Sequence, residues 1–144
     1  LATMTANVAQ AVVEPDAWHG TLTRAREALR PGGHLVFETR DPARRAWEHW
    51  NREESHQVTD VPGTGVVESW LDLVDVGGPL VTFRWTCVFA SDGAVLTSDS
   101  TLRFREREEV EADLASAGYV LEEVRDAPDR PGREFVFFAR RPEE

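Results

Sequence analysis

The sequence lacks several features that define special classes of protein. Its 144 residues include no lysine, no isoleucine and a single cysteine, Cys87, which cannot form a disulfide within the chain. No apolar run approaches the roughly 20 residues that span a bilayer, and no signal peptide is recognisable. Sixteen arginines stand against 26 acidic residues, and the net charge of −10 disfavours nucleic acid and anionic membranes as partners. We therefore expect a cytoplasmic protein that binds neither nucleic acid nor a membrane.

The sequence does contain enough apolar side chain for a core, because 41% of its residues are hydrophobic. Its length also suits one domain, and we expect a single domain over residues 1–144. Over residues 15–30 apolar side chains recur at spacings of three and four, which predicts a helix. The residues on this apolar face are Trp18, Leu22, Ala25 and Leu29.

The segment "LRPGGHLVFETRDP", residues 29–42, predicts a helix end followed at once by a buried strand. Pro31 disfavours helical geometry at the residue before it, and Gly32 and Gly33 permit a tight exit. Residues 35–37 are continuously apolar, as expected of a strand that is covered on both faces. A short connection from a helix into such a strand is typical of a parallel sheet flanked by helices.

The remaining segments predict a mixed α/β protein. Residues 40–57 predict a helix with Trp47 and Trp50 on one side. Residues 65–104 alternate between apolar and polar side chains and predict three antiparallel strands. Residues 106–117 predict an amphipathic helix ended by Gly118, and residues 119–124 and 133–141 predict two closing strands.

This order of elements, together with the motifs "LRPGG", "EEVEADLASAGY" and "REFVFFARRP", resembles the C-terminal half of a class I S-adenosylmethionine-dependent methyltransferase. The resemblance covers nearly the whole chain. It implies a partial Rossmann-like sheet of about four strands, the last one antiparallel, with residues 65–104 as an antiparallel insertion. It also implies S-adenosylmethionine as the cofactor of the complete domain.

The sequence departs from this family in one important respect. A complete member carries a Gly-rich loop and an acidic ribose ligand on strands that precede the matched segment. The only Gly-rich candidate here, "GTG" at residues 63–65, precedes no predicted helix. We therefore expect a fragment or truncated relative that is inactive alone. We also expect a homo-oligomer, because an exposed sheet edge recruits another chain.

Ligands of open α/β sheets bind beyond the carboxyl ends of the parallel strands. The first ten residues resemble the end of the family's fourth strand and the loop after it. The resemblance places four residues of this loop beside the methionine part of the cofactor: Thr5, Ala6, Asn7 and Gln10. The alternative is that Asn7 only caps a turn and that Gln10 faces solvent.

Candidate substrate contacts come from two places. Residues 38–41 follow the second predicted strand, and within them Arg40 is a candidate for contacting the acceptor. Trp70 and Trp85 of the insertion are candidates for covering the acceptor, with core packing as the alternative. The charge favours a small-molecule acceptor, but nothing in the sequence indicates which molecule or atom is methylated.

No catalytic residue and no metal site are predicted. A sulfonium cofactor carries an activated leaving group, so a protein mainly has to position the acceptor in line with the methyl group. His49, Glu53 and His56 follow helical spacing, but their charged surroundings favour a solvated face over a metal site. Cys87 lies among apolar strand residues and is expected to be an unreactive core thiol.

Two alternatives to the enzyme remain open. One is a non-enzymatic α+β ligand-binding module, and the other is a regulatory subunit that completes its site with a partner chain. In the module, the strand at residues 35–37 would run antiparallel to its neighbours. In the methyltransferase, the same strand runs parallel to residues 3–5.

Overall fold

The computed structural model describes all residues from Leu1 to Glu144, which form two compact units. Unit 1 comprises Leu1–Arg44 and Arg103–Glu144, and unit 2 comprises Arg45–Leu102, so that unit 2 is an insertion in the sequence of unit 1. Each unit has a four-stranded sheet, and the predicted α/β fold class is confirmed. None of the helices has the length and apolarity that a membrane crossing requires.

The strands are β1 (Ala2–Met4), β2 (His34–Arg40), β3 (Gln57–Val61), β4 (Gly65–Gly77), β5 (Leu80–Phe89), β6 (Val95–Arg103), β7 (Val120–Asp126) and β8 (Glu134–Arg140). The helices are α1 (Pro15–Ala28), α2 (Arg52–Ser55) and α3 (Arg107–Ser116). Three short 3₁₀ turns occupy Val8–Ala11, Pro42–Arg44 and Ala46–His49.

The sheet of unit 1 has the order β1-β2-β8-β7. Strands β1 and β2 are parallel, with Thr3 opposite Val36, whereas β8 is antiparallel to both β2 and β7. The parallel pairing is the one that the methyltransferase pattern requires, and it contradicts the antiparallel placement of the binding-module alternative. The antiparallel last strand is also confirmed.

The junction at "LRPGG" forms for the reasons that the sequence indicates. Helix α1 ends at Ala28, and the Arg141 guanidinium donates hydrogen bonds to the carbonyl oxygens of its last turn. Gly32 adopts a left-handed φ of 76°. At Gly33 a Cβ atom would lie only 2.8 Å from the carbonyl oxygen of Arg30, so this position has no room for a side chain. Strand β2 therefore starts at His34, after a short connection.

The core of unit 1 lies between its sheet and the helices α1 and α3. The rings of Phe37 and Phe137 stack across β2 and β8 at 5.2 Å between centroids, and Trp18 of α1 meets Phe37 edge-on at 5.6 Å. Val110 and Leu114 of α3 are fully buried in the same cluster. Alternate side chains of β2, including Thr39 near its end, are buried.

Unit 2 differs from the sequence prediction in two ways. The continuous helix over residues 40–57 is wrong, because Arg45 is left-handed with a φ of 45° and the segment breaks into 3₁₀ turns and the one-turn helix α2. The three strands predicted over residues 65–104 are present as β4, β5 and β6, and β3, which begins at Gln57, adds a fourth strand in the order β3-β4-β5-β6. Strand β3 pairs antiparallel with β4, and the Ser55 hydroxyl extends this ladder by accepting the Leu71 N–H at 2.7 Å.

Candidate functional site

The candidate site lies where the parallel strands β1 and β2 of the unit 1 sheet reach their carboxyl ends. We call it the rim and define it by residues 5–12, residues 38–41, Arg130 and Glu134. Because β8 runs antiparallel to β2, its first residue, Glu134, pairs with Arg40 at the same edge. The predicted cofactor residues and the predicted substrate residue Arg40 are therefore brought together here.

The loop after β1 has an unusual backbone. Ala6 and Asn7 are consecutive residues with left-handed φ angles of 55° and 56°. Left-handed geometry costs an L-residue roughly 1–2 kcal/mol, with Asn more tolerant than Ala. Such strain persists only where the surroundings enforce it, and it is concentrated at functional sites. Thr5 and Ala6 are exposed, whereas Asn7 is buried.

Asn7 is the most informative residue of the rim. Its backbone N–H donates to Glu38 Oε1 at 3.2 Å, and its side-chain Nδ2 donates to Glu134 Oε1 at 3.1 Å. The side-chain Oδ1 is buried and has no hydrogen-bond partner within the protein. Although Asn7 precedes the 3₁₀ turn Val8–Ala11, its side chain does not cap that turn. Since buried polar atoms are nearly always paired, this unpaired acceptor is an exception that marks the rim as a candidate site.

Gln10 does not face solvent, contrary to the alternative drawn from the sequence, because only 1% of its surface is exposed. Its Oε1 accepts from the backbone N–H of Arg40 at 3.1 Å and from the Arg40 guanidinium at 3.2 Å. Its Nε2 donates to the carbonyl oxygen of Arg103 at 3.3 Å. Most of its hydrogen-bonding capacity is therefore used inside the protein.

Two arginines, two glutamates and Asp41 make up the charges of the rim. The carboxylate of Glu134 is buried and accepts from Arg130 at 3.1 Å in addition to Asn7. Burial lowers the pKa of Arg40, and the nearby carboxylates of Glu134 and Glu38 oppose this shift. Arginine nevertheless stays protonated in proteins, so Arg40 remains a cation. Thr39, beside it, is buried, and its hydroxyl is a second polar group without a hydrogen-bond partner in the protein.

The two tryptophans predicted to cover the acceptor do not share a surface. Trp70 pairs with Thr86, and Trp85 pairs with Leu71, across β4 and β5. Because cross-strand partners share a face and neighbours along a strand alternate, Trp70 and Trp85 lie on opposite faces of the unit 2 sheet. The indole N–H of Trp70 donates to Asp72 at 3.0 Å, and the guanidinium carbon of Arg52 lies 4.0 Å from its ring centroid.

The remaining candidates of unit 2 form no reactive site. His49 contacts Glu54 at 2.9 Å and His56 contacts Glu68 at 2.8 Å, so the two histidines have different partners. No group of His, Cys, Asp or Glu side chains is arranged to hold a metal ion. Cys87 is only partly buried, which differs from the predicted core position, and its Sγ lies 3.1 Å from the Trp85 indole nitrogen.

Sequence reasoning did not single out Glu134 or Arg130. The only available signal was an acidic residue at the start of an apolar strand, in "GREFVFF". Burying an acidic side chain at the start of an apolar strand costs free energy unless the carboxylate is paired. Such a residue therefore indicates polar partners at that end of the strand.

The sequence matches no protein-family model and no curated protein. Solved structures do match. One is an S-adenosylmethionine-dependent methyltransferase from Clostridium acetobutylicum, with a TM-score of 0.75 and 12% identity over 97% of this chain and 57% of that one. The sugar N-methyltransferase KedS8 from Streptoalloteichus has a TM-score of 0.68 and 17% identity over 98% of this chain and 56% of that one.

The CcbJ methyltransferase from Streptomyces caelestis also matches, with a TM-score of 0.66 and 18% identity over 96% of this chain and 59% of that one. Among further matches, CalS10 was solved with S-adenosylmethionine and MtfA with S-adenosylhomocysteine. The chain thus spans less than two thirds of the length of these proteins, and at such identities the likeness establishes the fold. Residues 1–144 have the Rossmann-like fold of class I S-adenosylmethionine-dependent methyltransferases over part of the length of those enzymes.

Proposed function

We propose that this chain forms part of an S-adenosylmethionine-dependent methyltransferase and that its rim holds the methionine end of the cofactor. The observation that carries the proposal is the buried, unpaired Oδ1 of Asn7 at the carboxyl end of a parallel strand pair. It lies in the loop whose residues Thr5, Ala6 and Asn7 are the candidate cofactor contacts. Ligands of open α/β sheets bind at this edge.

The rim fits one end of the cofactor. The methionine end carries an ammonium group, which is a hydrogen-bond donor. Asn7 Oδ1 is an acceptor, and so is the Glu38 carboxylate, which accepts the backbone N–H of Asn7. Glu134 fixes the orientation of the Asn7 amide by accepting from Nδ2, so that Oδ1 stays available. For the adenosine end, residues 1–144 include no Gly-rich loop between a strand and a following helix.

When bound, the cofactor supplies an activated methyl group on a sulfonium. The contribution of this chain is then to hold and orient one end of the cofactor and, on the neighbouring strand end, to meet the acceptor. We keep Arg40 as the candidate acceptor contact, because its guanidinium lies at the rim beside Gln10. Trp70 and Trp85 lie on opposite faces of their sheet, so only one of them can face a given acceptor.

We propose a small molecule as the acceptor. The net charge of −10 disfavours nucleic acid, and the names of KedS8 and CalS10 describe a sugar N-methyltransferase and an amino pentose methyltransferase. Those two proteins are only similar in fold to this chain, and the acceptor here has to be found by experiment.

The proposal is tested by titrating S-adenosylhomocysteine calorimetrically into the product of the complete reading frame that contains residues 1–144. Replacing Asn7 by Ala removes a hydrogen bond to a charged group, and affinity should fall by roughly ten- to hundredfold. Asn51→Ala is the matched control, because Asn51 caps α2 in unit 2 and its loss should leave affinity unchanged. No binding by the unaltered protein would refute the function, and equal binding by Asn7→Ala would refute the site.

The isolated residues 1–144 provide a second test. We propose that they bind the cofactor weakly, are inactive alone and self-associate through β1, which is an outer strand of its sheet with one unpaired edge. Sedimentation velocity should show a dimer or larger species. A stable, folded monomer, or binding as tight as that of the complete product, would contradict this part of the proposal.

A further inference from the structure

We infer that Gln10 and Arg105 are positioning residues. Together they hold residues 5–12 in the one conformation in which Ala6 and Asn7 are left-handed and Asn7 Oδ1 stays available to a ligand. The inference rests on the proposed function for the identity of that ligand. It assigns Gln10 a different role from the direct cofactor contact expected from the sequence.

Arg105 is a buried guanidinium directed at the backbone of the loop. Only 2% of its surface is exposed, and it donates to the carbonyl oxygens of Ala9 at 3.3 Å and of Val12 at 2.6 Å. Its guanidinium carbon also lies 4.6 Å from the ring centroid of Trp18 in α1. The planar fork of arginine reaches both carbonyl oxygens at once, which a lysine ammonium does not reproduce.

Gln10 holds the same loop from within. Its side chain joins the end of β2 at Arg40 to the backbone of Arg103, residues that are 30 and 93 positions away in the sequence. Arg40 lies shortly before the start of unit 2 and Arg103 is the first residue after it. Gln10 therefore fixes the loop against the chain on both sides of the insertion.

Apart from the packing of Ala9 and Val12 with the core, hydrogen bonds hold the loop. Its own backbone hydrogen bonds are short-range, from Val8 to Thr5, from Gln10 to Asn7 and from Val12 to Ala9. Such turns do not by themselves impose two successive left-handed residues, because a right-handed geometry is favoured at each. Besides the hydrogen bonds of Asn7 to Glu38 and Glu134, the long-range hydrogen bonds of the loop involve Gln10 and Arg105. If both residues lost these bonds, the loop would populate other conformations, and the apparent affinity would fall in proportion to the competent fraction.

The test has a structural arm that needs no cofactor. Three-bond HN–Hα couplings and Cα shifts of Ala6 and Asn7 report φ, and they are measured by NMR for the unaltered chain and for Gln10→Met and Arg105→Met. We expect both variants to lose the left-handed signature, Arg105→Lys to restore little of it, and Gln10→Glu, which keeps an acceptor for Arg40, to restore more. Tyr119→Phe is the control, because it removes a buried hydrogen bond of 2.8 Å to Leu22 away from the loop.

The binding arm measures S-adenosylhomocysteine affinity for the same variants in the complete product. Gln10→Met and Arg105→Met should each weaken binding by about tenfold, as expected if a tenth of the molecules remain competent. Tyr119→Phe should bind normally even though it lowers stability. Unchanged couplings in both variants would overturn the inference, and so would lost couplings with unchanged affinity. If the unaltered protein does not bind at all, the proposed function fails, and the couplings still decide whether the two residues position the loop.

Discussion

The two units of this protein differ in how deeply their hydrophobic side chains are buried. Of the fourteen buried hydrophobic residues, Val81 alone belongs to unit 2. Unit 2 has the longest strand, β4 with 13 residues, yet many of its large apolar side chains are exposed. The exposed set in unit 2 is Val58, Val61, Val66, Leu73, Val74, Val76, Val95 and Leu96.

The polar side chains of the two units also differ in burial. In unit 1 the rim includes polar side chains that are buried and bonded over long sequence separations, such as Asn7 and Glu134. In unit 2 the ion pairs lie at the surface, as for Arg84 and Asp99. A precise binding site needs side chains whose positions are locked by packing, and unit 1 alone has that support around its candidate site. Three predictions of changes in stability, from the largest to the smallest, test this comparison.

The largest expected effect is in the core of unit 1. Phe37→Ala removes a fully buried ring that stacks on Phe137, and it should lower the free energy of unfolding by about 3–5 kcal/mol. Leu73→Ala in unit 2 is the matched control, because Leu73 is 40% exposed and its loss should cost less than about 1 kcal/mol. Urea denaturation followed by circular dichroism measures both values. Equal losses would show that the two units do not differ in packing.

An intermediate effect concerns Tyr119, the single tyrosine of the chain. Burial raises the pKa of Tyr119 to about 12, against an opposing effect of Arg26 and Arg141. The unfolded chain then loses the phenolic proton at a lower pH than the folded chain does. The associated stability is fully present below pH 10 and is lost as the pH rises through about 12, with a magnitude of about 2 kcal/mol.

Absorbance titration of the tyrosinate band gives this pKa directly. Unfolding measured at pH 8 and above pH 10 gives the loss of stability, which should be smaller in Tyr119→Phe. A midpoint near the ordinary tyrosine value of about 10 would mean that the phenol is open to solvent and that this part of the core is looser than described.

The smallest expected effect is at the surface of unit 2. Arg84 donates two hydrogen bonds to Asp99, at 2.7 and 3.0 Å, and these bonds lower the pKa of the Asp99 carboxyl. Any stability from this pair is present above the ordinary carboxyl pKa and is lost as the pH falls through the lowered value. Both side chains are about half exposed, so Asp99→Asn should change stability by no measurable amount at physiological salt. A clear loss in a melting experiment would identify the pair as structural.

Local sequence signals predicted the parts of this fold that depend on local chemistry. "LRPGG" indicated the helix end and the buried strand because Pro31 and Gly32 act on their own backbone. The helix over residues 40–57 was wrong because the left-handed Arg45 divides the segment into short turns, and because its last residue, Gln57, belongs to β3, which pairs with the distant β4. The resemblance located the loop after β1, but it did not predict the left-handed conformation of Ala6 and Asn7.

The roles within the site depend on distant partners. Asn7 contacts Glu134 across 127 positions of sequence, so neither the burial of Asn7 nor its unpaired oxygen was predictable from its neighbours. The faces on which Trp70 and Trp85 lie follow from the register of β4 and β5. A shift of this register by one residue would move one of the two rings to the other face of the sheet. The resemblance therefore indicated where the candidate site lies, whereas long-range contacts and strand register decide which side chains meet there.

The central claim is that the rim of unit 1 holds the methionine end of the cofactor. The most direct measurement is an NMR titration of the ¹⁵N-labelled complete product with S-adenosylhomocysteine, followed at the amides of residues 1–144. The account predicts the largest shifts at residues 5–10 and 38–41, with the exposed strands of unit 2 unaffected. Saturable binding that shifts unit 2 but leaves the amides of residues 5–10 and 38–41 unchanged would contradict it.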